Sequence, residues 1–271
     1  MADSLASLDA STQRGFTSAL TQTNRPDDTG LQGNAGLRLE WEGEGVDLAV
    51  MGANLQSPTP LTRLAPAYRD ILEQRSLPSL DQFSTLASTE PLQTSWPRTW
   101  LAGAELSTVI GPLGLRTESS WWSAKVVPQQ WLGGVIRPTT AHGIGLDYAH
   151  GSSIYVTLET RWTHLLDDVV QPYLTRTDVL ESGILARIGL FGDRLHLHAA
   201  GLLNWTFSSW LARPELRYTA SDALSVGIGA VLIDAEAPTP ASLQEVLSHP
   251  AGPLSLVQDN DALFVTMRWT Q

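Results

Sequence analysis

His196 and His198 stand two residues apart in the segment Arg194-Leu195-His196-Leu197-His198, so on an extended chain both imidazoles leave the same face. That spacing permits chelation of a transition metal, but a metal site takes three or four placed ligands, and the chain has no cysteine to supply one. With no third ligand at a fixed spacing, the pair reads as two polar wall residues, and the expectation is no metal and no cofactor. Hydrolytic chemistry would set serine or aspartate beside histidine; His142, His164, Asp167 and Asp168 are available for that. No motif ties them together, and there is no phosphate-binding glycine loop, dinucleotide fingerprint or HExxH helix. The expectation is that the protein is not an enzyme.

Most charged residues follow another rule. Arg38, Glu40, Glu42, Asp47, Glu105, Arg116, Glu118, Asp147, Glu159, Arg161, Glu181, Arg187, Arg194, Arg213, Glu215, Arg217 and Arg268 alternate with apolar residues at a period of two, as do the two histidines. Acid and base are nearly balanced and interleaved along the chain. On the inside of a wide tube these side chains would line a water-filled pore and select solutes by their field. In a narrow tube they would instead fill the interior as a lattice of ion pairs.

Those residues need long two-faced strands to hold them. The stretch Val179 to Phe207 alternates through two arms of about ten residues around the turn Phe191-Gly192-Asp193, longer than an ordinary globular strand and close to what a tilted strand needs to cross a bilayer. Similar hairpins turn at 43–45, 111–112, 150–152 and 221–222, while long connections fall at about 55–98, 123–141, 163–178 and 234–260. Short turns on one side and long loops on the other predict an antiparallel up-and-down transmembrane β-barrel over residues 34–271, preceded by a loop or extension at 1–33. Within the loops, Leu61, Leu64, Tyr68, Ile71 and Leu72 have helical spacing, and Thr239-Pro240 caps a second predicted helix through Leu247. Pro214 removes a ladder donor and predicts a bulge or weak pairing.

The outward aromatics are sorted. Trp100, Trp121, Trp162, Trp205 and Trp210 sit at loop ends of strands; Trp41, Tyr148, Tyr218 and Trp269 sit at turn ends. Two girdles separated by aliphatic side chains suit a bilayer with two interfaces, whereas a soluble sandwich has no reason to sort them. Composition agrees. Among 271 residues with a mean hydropathy of -0.06, no apolar run approaches the roughly 18 residues a spanning helix requires. Net charge is -11, pI ≈ 4.9, and Lys125 is the one lysine, which excludes a general nucleic-acid surface.

With these features in place, residues Leu37 to Gln271 resemble the porin-like outer-membrane proteins of Gram-negative bacteria. The terminal strand Ala262-Leu263-Phe264-Val265-Thr266-Met267-Arg268-Trp269 resembles the assembly signal of such barrels, here followed by Thr270 and Gln271. The resemblance implies a bacterial outer-membrane location and, as partners, the barrel-assembly machinery, outer-membrane lipid and lipopolysaccharide, and small hydrophilic solutes passing through a channel. The alternatives are a non-conducting barrel that displays loops and an outer-membrane hydrolase. About eleven strands are legible where such barrels have an even number, and no signal peptide is visible. The expectation is therefore a C-terminal portion of a larger barrel, or a twelfth strand from Gly15 to Thr21. Acidic residues collected in the outer loops predict weak cation selectivity, with the loop at 55–98 as the candidate constriction.

Overall fold

The computed structural model describes residues 33–66, 68–70, 91–130, 133–169, 173, 175–236, 242, 245, 252–258 and 260–269. Chain order begins with β1 (Ala35–Gly43) and β2 (Val46–Gln56), followed by a short separate hairpin, β3 (Leu61–Leu64) with β4 (Leu92–Ser95). Then come β5 (Arg98–Ile110), β6 (Leu113–Gln129), β7 (Gly133–His150), β8 (Ile154–Leu165), β9 (Asp178–Leu190), β10 (Leu195–Asn204), β11 (Ser209–Ser221), β12 (Leu224–Ala235) and β13 (Ala262–Trp269). Apart from β3 and β4, the strands form one antiparallel sheet of eleven in simple chain order. This is the all-β, up-and-down architecture that period-two alternation predicts.

Strand direction follows from the turns. Gly45, Gly111, Gly151 and Gly192 have positive φ at the tight turns, where side-chain-bearing residues would be strained. All lie at one end of the sheet, and the long connections lie at the other. Asp193 ties two adjacent turns together, accepting from Ser153 Oγ at 3.1 Å. β1 and β13 flank the ladder and both run from the loop end to the turn end. An antiparallel closure of this sheet therefore takes an odd number of further strands.

The wall has almost no core of its own. Among the described residues, the buried apolar side chains are Ala49, Leu61, Ala65, Val126, Val127, Ala141, Leu165 and Phe207, and most belong to the loop end. One face of the wall is aliphatic and open, with Ile228 60% and Ile144 53% exposed. A soluble layered domain would bury that face against a second layer.

Two expectations change, and at Pro214 the weak-pairing alternative holds. The helical patch from Leu61 is not one helix: Leu61 and Leu64 belong to β3, paired with Ser95 and Leu92, and helical turn geometry begins only at Pro66. Ile71 and Leu72 lie outside the described residues. The connection at 123–141 is mostly strand, because Val126–Ile136 and Val127–Val135 pairs carry the β6–β7 hairpin past the rest of the sheet. The β3–β4 hairpin packs there, with Leu61 and Thr62 against Gly134, which places the described part of the 55–98 loop beside the outer end of β7. At Pro214 pairing lapses between Ala212–Leu232 and Glu215–Gly229 without a change of register, and the bulge falls at Thr219–Ser221 instead. Most of the helix predicted from Thr239 to Leu247, the extension at 1–33 apart from Gly33, and the strand at Gly15 to Thr21 lie outside the described residues.

Candidate functional site

Residues paired across an antiparallel ladder share a face. Following the pairs from Glu40–Ala49 through Ala49–Glu105, Glu105–Glu118, Glu118–Gly143, Gly143–Arg161, Arg161–Glu181, Glu181–Asn204 and Asn204–Ser209 keeps one face throughout. All the charged residues singled out on strands from the sequence, Arg38 to Arg268, stand on it, and Arg194 lies in the turn leading to β10.

Ladder order also sorts their signs. Glu40, Glu42, Asp47, Glu105, Glu118, Asp147 and Glu159 gather on β1 to β8 with Arg38, Arg116 and Arg161 among them. Arg187, Arg194, Arg213, Arg217 and Arg268, with both histidines, gather on β9 to β13 around Glu181 and Glu215. Because the strands pair in chain order, this is also a sorting along the chain: acids predominate up to Arg161 and bases from Arg187 onward.

On the acidic side, Arg38 pairs with Glu40 and makes a two-pronged contact to Glu105 at 3.1 and 2.8 Å. This offsets the like-charge opposition of Glu105 and Glu118. Asp147 accepts from Thr157 Oγ1 at 2.6 Å, Arg116 Nε at 2.9 Å and Tyr155 at 3.3 Å. Glycines opposite the charged residues leave them room to lie across the sheet: a Cβ on Gly143 would sit 2.7 Å from Glu118 Cγ. Arg38, Glu42, Asp47, Glu105, Arg116 and Glu159 help line a recess of about 490 Å³.

On the basic side, Glu215 is buried and accepts from Arg217 at 3.0 and 2.6 Å and from Thr266 Oγ1 at 3.2 Å; Arg213 stands 4.0 Å away. His198 faces Arg187 on one side and Glu215 on the other, and His196 faces Arg217. The two rings are 6.0 Å apart. Guanidinium neighbours repel a bound cation, and no group of three metal-type ligands occurs among the described residues. The packing here is tight: a Cβ on Gly229 would lie 2.7 Å from the Pro214 carbonyl and against the Phe264 ring. Because a backbone carbonyl cannot step aside, Gly229→Ala is expected to destabilise the wall by about 1–3 kcal/mol, read as a lowered thermal midpoint.

Sequence reasoning missed Lys125 and Arg137. They pair across β6–β7 beyond the irregularity at Trp122–Lys125, and Lys125 interacts electrostatically with Arg161 and Glu181. Unbroken alternation from Trp121 would have put Lys125 on the outer face; the irregularity turns it inward. The hydrolase candidates are also rearranged. His164 meets Asp178 at 2.8 Å rather than Asp167 or Asp168, and His142 meets Ser119 at 3.0 Å, both on the aliphatic face.

The aromatic residues give the sheet its inclination. One straight row of ladder pairs runs Trp41, Leu48, Leu106, Thr117, Ile144, Thr160, Ser182, Leu203 and Trp210. Its ends belong to opposite belts, so the belts must cross the rows obliquely. Tyr148 is four residues beyond Ile144 and four strands from Trp41; Tyr218 is eight residues beyond Trp210 and eight strands from Trp41. The turn-end belt thus descends one residue per strand. The loop-end belt does the same: Trp100 is six residues from Leu106 on β5, and six strands later Trp210 lies in the row itself, with Trp121 and Trp162 between. Trp205 follows β10 beside them, and Trp269 continues the lower belt on β13. With about 3.4 Å per residue and about 4.8 Å between strands, that slope is a tilt of roughly 35°. The eight residues from Trp210 to Tyr218 then span about 20–25 Å perpendicular to the belts.

No family model matches the chain, and no curated protein does. Among solved structures it is similar to in-vitro folded OmpT, an outer membrane protein of Vibrio cholerae, at 11% identity over 74% of this chain and 84% of that one, with a TM-score of 0.33. The trimer form of the same protein gives 11%, 74%, 86% and 0.34, and a loop L8 deletion mutant gives 11%, 74%, 91% and 0.32. What characterises this chain is its own geometry: an eleven-stranded up-and-down β-wall with one charged face, one aliphatic face and two parallel aromatic belts slanted to the strands.

Proposed function

We propose that the protein is a bacterial outer-membrane porin-like channel, its aliphatic face against lipid and its charged face around an aqueous path for small hydrophilic solutes. The observation that carries this is the slant of the two belts. Strands of closed membrane barrels tilt by about 35–45°, with an apolar band about 25 Å tall between aromatic girdles. Both values recur here from residue register alone. The charged face supports passage rather than mere anchoring, because acids predominate on one part of the wall and bases on another, and a recess opens within the acidic part. Lipid, lipopolysaccharide and the barrel-assembly machinery are the partners this reading calls for.

Single-channel recording of the protein extracted from membranes tests it. Discrete conductance steps are expected. Silence from correctly inserted protein would instead favour a non-conducting barrel that displays its loops.

A further inference from the structure

On the outward face of β6 to β9 a polar patch crosses the loop-end belt, and a channel wall has no use for it. Ser119 and His142 are directly paired on adjacent strands, with Ser119 Oγ 3.0 Å from His142 Nδ1. The Trp162 indole lies between two imidazoles, its centroid 5.4 Å from that of His142 and 5.6 Å from that of His164. Trp162 Nε1 and His164 Nδ1 both meet Oδ1 of Asp178, at 2.9 and 2.8 Å.

These bonds fix the rings and leave a defined remainder. Asp178 Oδ2 and the Nε2 atoms of His142 and His164 have no partner among the described residues, and the indole is 41% exposed. Facing acyl chains, such groups would be costly to leave bare. Facing a headgroup, they are two imidazole edges and one carboxylate oxygen around an aromatic plate. Their depth agrees: Trp162 belongs to the belt, while along the strands His164 and Asp178 lie just beyond it and Ser119 and His142 just within.

We propose that this patch seats the sugar headgroup of an outer-leaflet glycolipid, an inference that rests on the membrane reading above. A sugar hydroxyl donates to Asp178 Oδ2, other hydroxyls pair with the imidazole Nε2 atoms, and the C–H face of the ring lies on Trp162. A phosphate headgroup fits less well, because it meets the Asp178 carboxylate and the exposed Asp167 and Asp168 at the same rim.

The test places the full chain in nanodiscs containing equal amounts of diglucosyl diacylglycerol, phosphatidylcholine and phosphatidylglycerol with matched acyl chains, and reads retained lipid by native mass spectrometry. Diglucosyl lipid is expected to be enriched about fivefold or more over either phospholipid, with Asp178→Ala and His164→Ala each bringing the ratio near parity. Thr117→Val, on the same face but away from the patch, is expected to keep the enrichment. Folded-band migration on unheated gels verifies that each variant is intact. Equal retention of the lipids, a phospholipid preference, enrichment unchanged in Asp178→Ala, or a dimer in place of the lipid adduct would each overturn the site. Failure of the chain to enter nanodiscs would overturn the membrane reading with it, whereas entry without preference overturns only the site.

Discussion

Ile144→Arg is expected to cost about 2–4 kcal/mol of folding stability in a bilayer, and Leu113→Arg only about 0–1 kcal/mol. Both side chains are exposed, at 53% and 43%, on the same aliphatic face, so a sheet in water would accept either substitution almost freely. The difference lies in depth. Tyr148 marks the lower belt on β7, and the upper belt, interpolated between Trp121 and Trp162, crosses β7 near Thr140. Ile144 is midway between them. Leu113 is paired directly with Tyr148 and sits at the lower interface. An arginine at mid-depth must either desolvate or draw water into the acyl region, while one at the belt reaches the headgroups. Urea unfolding in phospholipid vesicles measures both variants. Equal losses would remove the bilayer from the account.

Much of this wall is legible in sequence because its two signals are local. Alternation at period two requires only neighbouring residues, and Arg187 against Ile188 or Glu159 against Leu158 shows it within any short window. The sorting of tryptophans to strand ends is equally local. What sequence could not give depends on register, which is set by contacts far apart in the chain. The slant of the belts appears only when Trp41 and Trp210 are found in one ladder row. The partner of His164 is Asp178, fourteen positions away across β8–β9, while Asp167 and Asp168 are merely close along the chain. The sorting of charges, by contrast, is open to sequence, because the strands pair in chain order and the acids already predominate in the first part of the chain.

The loop end was misread for a different reason. Leu61 and Leu64 have the spacing of a helical turn, but a four-residue strand is too short to display alternation, and pairing with Leu92 and Ser95 decided the outcome. The β6–β7 extension loses its two-faced pattern at the irregularity after Trp122. Beyond it Val126 and Val127 are both buried, so a continuous apolar run replaces the alternation that identifies the other strands.

The sorted charges lead to the other large expected effect, a selectivity that moves in opposite directions when opposite parts of the wall are neutralised. On the acidic part, Glu105 and Glu118 stand directly across from each other, with Arg38 offsetting one of them. Glu105→Gln with Glu118→Gln is expected to lower the cation-over-anion permeability ratio by about two- to fivefold, since a unit charge about 4 Å from an ion in water is worth about 1 kcal/mol. On the basic part, Arg187 and Arg268 are the suitable targets, because Arg217 is bound to the buried Glu215 and its loss would also disturb folding. Arg187→Gln with Arg268→Gln is expected to raise the same ratio by a similar factor. Reversal potentials in a salt gradient around 0.1 M measure both, and both shifts should shrink near 1 M salt, where the screening length falls from about 10 Å to about 3 Å. Shifts of the same sign, or none at low salt, would mean that ions do not pass along this face. The charges would then be an ion-pair lattice that holds the wall together, and the non-conducting barrel would be the better description.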